Sequence, residues 1–203
     1  MLTLTDTDRE WISAMRKAEV LANVDAHLID PDGTILVTCA DADQFPEIFV
    51  YKNVLIRRVR QHRRRPRIHT FGWNGGALRL VGNSPINRMD AKCGDCAKVF
   101  VNEVAGAISL KNIWRVALYM HAPCGKAHAA KLDFYESVKL LLRAKDELRV
   151  RLRASLPEES LLRLSIALFC HIDYGKGRKR TYYISRDRFM EWHANLQAKL
   201  ALE

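Results

Sequence analysis

An apolar run that ends in a histidine and a cysteine constrains the fold of this chain more than any other stretch. Residues 113–120 are mostly apolar, His121 and Cys124 follow, and Gly125 then precedes a long helical pattern. A run of this length that contains Val, Ile, Tyr and Trp is typical of a fully buried strand. We therefore predict a strand that brings an imidazole and a thiol to its carboxyl end.

A second predicted strand ends in a similar way. Residues 34–38 are strand-like and lead into Cys39 and Asp41. Parallel strands of a wound α/β sheet end on one side, and ligands bind in the crevice there. If the two strands are neighbours, Cys39, His121 and Cys124 converge with Asp41 beside them. Thiolates and imidazoles suit zinc, so we predict a Zn2+ site of two thiolates and one imidazole, with the carboxylate at its open position.

The order of predicted elements indicates the fold class. Strands alternate with helices, which predicts an α/β protein with a mostly parallel central sheet, helices on both faces and an antiparallel edge strand. We expect one domain over residues 1–203, with an N-terminal helical arm at 1–25 and a C-terminal helix at 185–203. The arm precedes the first sheet strand, so we expect it to lie outside the wound core, where such helices often pack on a partner subunit.

Three further segments are predicted between these landmarks. Residues 77–81 are interpreted as another extended piece, and residues 129–154 as a helix rich in Leu, Ala, Lys and Arg. A helix is also predicted over residues 89–110, and its buried face is expected to carry Val99, Phe100, Val104 and Ile108.

Composition limits the class of protein. No apolar run reaches membrane-spanning length, and the N-terminal residues lack the apolar block of a signal peptide. We therefore expect a cytoplasmic protein that does not contact a membrane. Five cysteines are an odd number, and in a chain of this kind they are more typical of metal ligands or free thiols than of disulfides.

The net charge of +10 raises the alternative of nucleic-acid binding. Much of the excess lies in two clusters, residues 57–65 and 176–180. We interpret both mainly as solvated charge at the ends of elements, with an anion or nucleic-acid surface as the less favoured alternative. Neither cluster is interleaved with aromatic residues that could stack on bases, so nucleic acid is an unlikely partner.

The two metal-site motifs resemble those of the β-class carbonic anhydrases. That family carries Cys-x-Asp-x-Arg after its first strand and His-x-x-Cys-Gly after its third, and this chain has Cys39-Ala-Asp41 and His121-Ala-Pro-Cys124-Gly125. Residues 73–76, Trp-Asn-Gly-Gly, stand where the family has a glycine-containing loop. The resemblance implies that Cys39, His121 and Cys124 hold zinc, and that Asp41 either occupies the fourth position or leaves it to a water molecule.

The resemblance also implies an activity and an assembly. The expected enzyme is a carbonate dehydratase-like zinc lyase that reversibly hydrates CO2 to bicarbonate, or hydrolyses a related heterocumulene such as COS or CS2. Zinc lowers the pKa of a bound water to about 7. Asp41 is the expected catalytic residue, because its carboxylate would accept a hydrogen bond and orient the attacking oxygen. The family also implies a homodimer or a higher homo-oligomer.

The chain departs from the family pattern at Asp43. The family has an arginine there, which pairs with the aspartate and draws it away from the metal. Arg79 and Lys126 are the candidates for a replacement cation. Without one, Asp41 is freer to close the site. The alternative is therefore a catalytically inactive homologue that keeps a closed, structural zinc site for a binding or regulatory role.

Cys93 and Cys96 form a Cys-x-x-Cys pair whose role stays open. We favour ordinary helix cysteines, with a reactive dithiol or a second metal site as alternatives. Cys170 and His171 could supply ligands to such a second site, but we interpret them mainly as the buried end of a strand.

Overall fold

A six-stranded sheet forms the centre of the molecule. The computed structural model describes residues 2–24, 33–50, 67–90 and 95–201. Within them the strands run in the spatial order β1-β6-β5-β4-β2-β3. Their bounds are β1 Leu21–Ala22, β2 Thr34–Thr38, β3 Ile68–Gly72, β4 Arg115–Ala122, β5 Ser165–Asp173 and β6 Lys179–Ile184.

Helices connect these strands. We number the helical residues 45–50 as α2, whose described part ends at residue 50. A 3-10 helix spans Gly76–Leu80. The remaining helices are α1 Asp6–Lys17, α3 Pro85–Arg88, α4 Cys96–Lys111, α5 Gly125–Ala129, α6 Phe134–Ser155, α7 Glu158–Leu161 and α8 Arg186–Leu200.

The pairing of the strands confirms the predicted α/β class. β3, β2, β4 and β5 pair in parallel, whereas β6 is antiparallel to β5 and to β1. β2 and β4 are direct neighbours, with Val37 opposite Leu118. The condition on which the predicted metal site depended is therefore met, because the carboxyl ends of these two strands lie side by side.

The alternation of side chains along β4 divides the core between two faces of the sheet. Val116 and Leu118 belong to the larger core with residues of α4 and α6, whereas Ala117 and Tyr119 join a smaller core with Ile48 of α2. Successive residues of a strand point to opposite faces. His121 is therefore on the same face as Tyr119, the face that α2 covers.

The first helix packs on its own chain, which corrects the expectation that it lies outside the core. Met15 is fully buried in the larger core, and Trp11 stacks on Tyr135 of α6 with the ring centroids 5.0 Å apart. Asp8 accepts a hydrogen bond from the N–H of Phe134 at 2.8 Å, while Asp133 accepts one from the indole of Trp11. Because this apolar face is covered, only the resemblance supports the predicted dimer.

The segment predicted as extended at residues 77–81 is instead the 3-10 helix. Gly75 and Gly76 precede it in the left-handed region, with φ of 93° and 52°. Two such residues turn the chain sharply, which glycine tolerates because it has no Cβ. The fully buried Arg79 is the second reason that this segment is helical. Its guanidinium donates a hydrogen bond to the carbonyl of Asn74, five residues earlier, which a compact turn allows and an extended chain does not.

Two other sequence expectations also need correction. The helix predicted from residue 89 begins at Cys96, where the carboxylate of Asp95 accepts a hydrogen bond from the N–H of Lys98 as a helix N-cap. Val99, expected in the core, is 52% exposed, although the other three predicted core residues of α4 are buried. The helix predicted at 129–154 begins at Phe134 and follows the short helix α5.

Two observations concern the remaining predictions. None of the helices in the described ranges has the length and apolar character needed to cross a bilayer. The basic cluster at residues 176–180 begins in the turn between β5 and β6, where Gly175 and Gly177 have positive φ, and its last two residues lie in β6. The cluster at residues 57–65 lies outside the described residues.

Candidate metal centre

Three different structural elements deliver the predicted metal ligands. Cys39 directly follows β2. His121 is the next-to-last residue of β4, and Cys124 is the residue before α5. Their donor atoms all lie within 4.8 Å of one another. The convergence predicted from the two strand ends is therefore confirmed, and it depends on the parallel pairing of β2 with β4.

All three side chains are removed from solvent. Cys39, His121 and Cys124 are 6%, 3% and 8% exposed. Neither ring nitrogen of His121 forms a hydrogen bond of normal geometry among the described residues, although Cys39 is close enough to interact with the ring. A buried imidazole without partners is costly, because its donor and its acceptor have lost water. The pair of nearby sulfurs makes a metal ion the simplest partner for one of these nitrogens.

The thiols of Cys39 and Cys124 form a hydrogen bond that shifts their pKa values in opposite directions. This hydrogen bond lowers the pKa of Cys124 to about 7, against the effect of burial and with help from the backbone N–H groups of Ala127 and Lys126. The same hydrogen bond raises the pKa of Cys39 to about 12; burial acts in the same direction and His121 opposes it. Below about pH 7 both thiols are protonated, and above it only Cys39 keeps its proton.

The glycine pair next to the 3-10 helix supports Cys39. The N–H of Gly75 donates a hydrogen bond to Cys39 Sγ at 3.3 Å. A Cβ on Gly76 would lie 2.5 Å from the backbone nitrogen of Cys39 and 2.7 Å from the carbonyl carbon of Thr38. Only glycine permits this approach. The sequence marked residues 73–76 for their glycines, but the hydrogen bond to sulfur could not be read from the pattern.

Asp41 lies beside this centre without joining the group of donor atoms. Its Oδ1 accepts a hydrogen bond from the N–H of Asp43 at 3.0 Å, and its carbonyl accepts one from the N–H of Phe45 at 2.8 Å. Both bonds are typical of a residue that caps the start of a helix, here α2. The carboxylate is therefore held by its own loop.

Neither candidate for a replacement cation pairs with Asp41. Arg79 forms an ion pair with Asp90 at 2.7 Å, and Lys126 lies 3.6 Å from the same carboxylate. The hydrogen bond from Arg79 and the charge of Lys126 hold the pKa of Asp90 below its usual value, although partial burial opposes them. Arg79 thus braces the loop that supports Cys39.

A second polar cluster, which sequence reasoning missed, lies on the next strand. His171 of β5 is opposite His121 in the parallel register. Its Nδ1 is 2.9 Å from Thr181 Oγ1, and its Nε2 is 3.4 Å from Glu47 Oε2. Lys179 contacts Glu47 at 2.8 Å and donates to the carbonyl of Asp43 at 3.1 Å. His121 and His171 each stand at the end of an apolar run, and this shared position is visible in the sequence.

A cavity of about 480 Å3 adjoins the centre. His121 and Cys124 line it, together with apolar residues and the N-terminal residues 2, 3 and 5. Cys39 and Asp41 are not among its lining residues. A small molecule can therefore reach the group from the side of Cys124.

Cys96 and Cys170, the other two cysteines in the described ranges, differ in their bonding. Cys96 is disulfide-bonded, which corrects the expectation that the cysteines are metal ligands or free thiols, and Cys93 lies outside the described residues. Cys170 is a free thiol buried in β5, as predicted for the end of a strand, and burial raises its pKa. Within the described ranges, the group of Cys39, His121 and Cys124 is the one that could hold a metal.

Comparisons with protein-family models, with curated proteins and with solved structures found no match. The chemistry of the site therefore has to be argued from its own donors. Two sulfurs and one imidazole are a donor set that fits zinc, and the unpartnered nitrogens of His121 agree with that assignment.

Proposed function

We propose that this protein is a zinc-dependent enzyme of the carbonic-anhydrase type, which reversibly hydrates CO2 to bicarbonate. Cys39, His121 and Cys124 would hold the ion. A zinc ion in such a site supplies an acidified water as the nucleophile. The observation that carries the proposal is the number of donors: among the described residues the group contains three. Catalytic zinc sites use three protein ligands and keep a fourth position open, whereas structural sites use four.

Asp41 is the residue to which we assign the catalytic role. It lies two positions after a ligand, and its hydrogen bond to the N–H of Asp43 orients its carboxylate within the loop. A carboxylate in this position would accept a hydrogen bond from the attacking water and hold a lone pair towards CO2. The cavity beside Cys124 has apolar lining residues, including Met120 and Leu132, which suits a small apolar substrate.

The alternative is a structural zinc site without catalysis. Among the described residues no cation pairs with Asp41, because Arg79 and Lys126 both contact Asp90 instead, and this favours the alternative. Such a protein would bind zinc and use the ion to join the ends of β2 and β4.

Zinc binding is tested by metal analysis of the purified protein with matched cysteine variants. We expect about one zinc per chain in the wild type, because the three donors form one site. Cys39→Ser should lose the metal. Cys170→Ala, which removes a free thiol outside the group, should retain it. Equal zinc content in both variants would refute the site.

Catalysis is tested by stopped-flow CO2 hydration at about pH 7 and about pH 9, a range that covers water bound to a weakly acidic zinc ion. Asp41→Asn should keep its zinc and lower the hydration rate about a hundredfold or more, because the amide cannot replace the carboxylate as the acceptor that orients the attacking water. Zinc-loaded protein without hydration at either pH would identify the structural alternative.

A further inference from the structure

We propose that Cys39 and Cys124 are an oxidisable dithiol, which a hydroperoxide converts into an intramolecular disulfide. The two side chains form a hydrogen bond, and their sulfurs belong to a group of donor atoms within 4.8 Å of one another. A disulfide requires the sulfurs to close to about 2.05 Å. Residues that are far apart in sequence are thus already placed for a covalent bond, whether or not a metal ever binds.

Access distinguishes the two sulfurs. Cys124 lines the cavity of about 480 Å3, and Cys39 does not. A hydroperoxide the size of H2O2 can therefore reach Cys124 first. The N–H groups of Lys126 and Ala127, in the first turn of α5, also form hydrogen bonds to the Cys124 sulfur. Peroxide reacts with the thiolate form of a cysteine.

The reaction has two balanced steps. The Cys124 thiolate attacks one oxygen of H2O2, the O–O bond breaks, and a sulfenic acid and hydroxide result. The Cys39 sulfur then attacks the Cys124 sulfur, the S–O bond breaks, and the second oxygen leaves as hydroxide. The Cys39 proton neutralises one hydroxide and solvent the other. Two thiols are oxidised, and one peroxide is reduced to two waters.

The third free thiol in the described ranges differs in both respects. Cys170 is fully buried in β5 and lies outside the group of three donors. It has neither a route for the oxidant nor a sulfur partner in that group. Cys170 is therefore the internal control for a reaction that depends on geometry.

The test uses the full-length protein after chelator treatment and reduction. One molar equivalent of H2O2 is added, free thiols are alkylated, and tryptic peptides are analysed by mass spectrometry. Cleavage after Lys and Arg puts Cys39 in residues 18–52, Cys124 in 116–126, and Cys93 with Cys96 in 93–98. We expect peptide 18–52 linked to peptide 116–126, with two hydrogens fewer. Alkylation of both peptides as free thiols would overturn the proposal.

Matched variants separate the two roles. Cys39→Ser should abolish the link and leave Cys124 as a sulfenic acid that dimedone labels. Cys170→Ala should leave the yield of the linked peptides unchanged. Absence of dimedone labelling in Cys39→Ser would contradict Cys124 as the attacking residue. Because the wild-type experiment needs no variant, poor folding of a variant cannot hide the result.

A consequence for the metal rests on the proposed function. A disulfide sulfur carries no negative charge and is a far weaker zinc ligand than a thiolate, so oxidation should release the ion. A colorimetric chelator added to zinc-loaded protein during H2O2 treatment measures this release. Protein that never binds zinc but forms the linked peptides contradicts the metal centre alone. Protein that binds zinc but forms no link after chelation contradicts the dithiol alone.

Discussion

Two histidines on adjacent strands of the sheet differ in almost everything except position. His121 and His171 are opposite each other in the β4–β5 pair, and both are buried, at 3% and 4% exposure. His171 has Thr181 and Glu47 within reach of its two ring nitrogens. His121 forms no hydrogen bond of normal geometry among the described residues, but has two sulfurs beside it.

The difference teaches how a buried histidine can be assigned. A buried imidazole has to recover the hydrogen bonds that it loses with water. His171 recovers one of them at Nδ1 from Thr181, and its Nε2 lies 3.4 Å from the carboxylate of Glu47, which is the pattern of a structural residue. His121 lies where its neighbours are soft metal donors, which is the pattern of a ligand. Each residue alone gives little information, and the comparison of their partners separates the roles.

The largest expected effect is the loss of zinc affinity when His121 is removed. His121→Ala deletes one of three ligands, and we expect zinc affinity to fall about a thousandfold, or about 4 kcal/mol. His171→Ala removes polar contacts outside the donor group, so zinc affinity should change less than about tenfold while stability falls by about 1–3 kcal/mol. Competition with a chromophoric chelator measures affinity, and urea unfolding of the metal-free variants measures stability.

Equal behaviour of His121→Ala and His171→Ala would contradict the distinction between the two histidines. Equal zinc affinities would mean that the partners of a buried imidazole do not distinguish a ligand from a structural histidine. A larger loss of affinity in His171→Ala would place the metal on the neighbouring strand.

The next expected effect concerns the close approach of Gly76 to the backbone of Cys39, the residue whose sulfur lies beside His121. Gly76→Ala would place a Cβ against the backbone of Cys39, and its φ of 52° disfavours alanine. We expect a loss of stability of about 2 kcal/mol. Gly125→Ala is the matched control, because a Cβ there meets nothing within 4 Å and α5 favours alanine. Thermal unfolding of the metal-free proteins measures both; equal melting temperatures would remove the close approach as a constraint.

The pH dependence of zinc affinity sharpens the comparison further. The hydrogen bond from Cys39 lowers the pKa of Cys124 to about 7, so above that pH the thiol pair holds one proton and below it two. Zinc displaces these protons. Affinity should therefore rise with pH, about tenfold per unit above pH 7 and more steeply below it.

His171 provides the control for this dependence. Burial lowers the pKa of His171, and the partly opposing charge of Glu47 does not reverse the shift, which moves its titration away from the upper part of the range. His171→Ala should leave the slope unchanged. Affinity that is flat between pH 6 and pH 9, or a slope that disappears in His171→Ala, would contradict the thiol pair as the source of the protons.

The smallest expected effect is in the polar network around His171. Lys179 is 20% exposed and contacts the 48% exposed Glu47, so solvent screens this pair. We expect Lys179→Met to cost about 1 kcal/mol or less and to change zinc affinity less than about threefold. Lys139→Met, which removes an exposed pair with Glu136, is the control and should change stability by a few tenths of a kcal/mol. A loss of affinity confined to Lys179→Met would connect the two clusters.

Much of the sheet was predictable because apolar runs are local signals. The length and composition of residues 34–38 and of the apolar run at 113–120 predicted β2 and β4. The turn before β6 indicated that the last strand is antiparallel. The ligand set followed from one topological rule, that parallel strands end on the same side. The C-terminal helix predicted at residues 185–203 is present, and Ser185 caps it by accepting a hydrogen bond from the N–H of Arg188.

Other features failed because they depend on contacts between distant segments. Val99 has the apolar character of a core residue, but α4 begins at Cys96 and turns that side chain to solvent. Residues 77–81 have strand-like composition, but the glycine turn and buried Arg79 make them helical. The packing of Trp11 on α6 requires a partner more than a hundred residues away, which no local pattern contains.

The sequence by itself determined which chemistry was available: two cysteines and a histidine at the ends of two buried strands, because strand periodicity and ligand type are properties of short segments. Only the tertiary structure decided how that chemistry is arranged. The hydrogen bond between Cys39 and Cys124, the missing partners of His121 and the pairing of Arg79 with Asp90 all depend on distances of a few ångströms between remote residues. Hydrogen bonds and desolvation act over those distances, so they emerge only after the chain has packed.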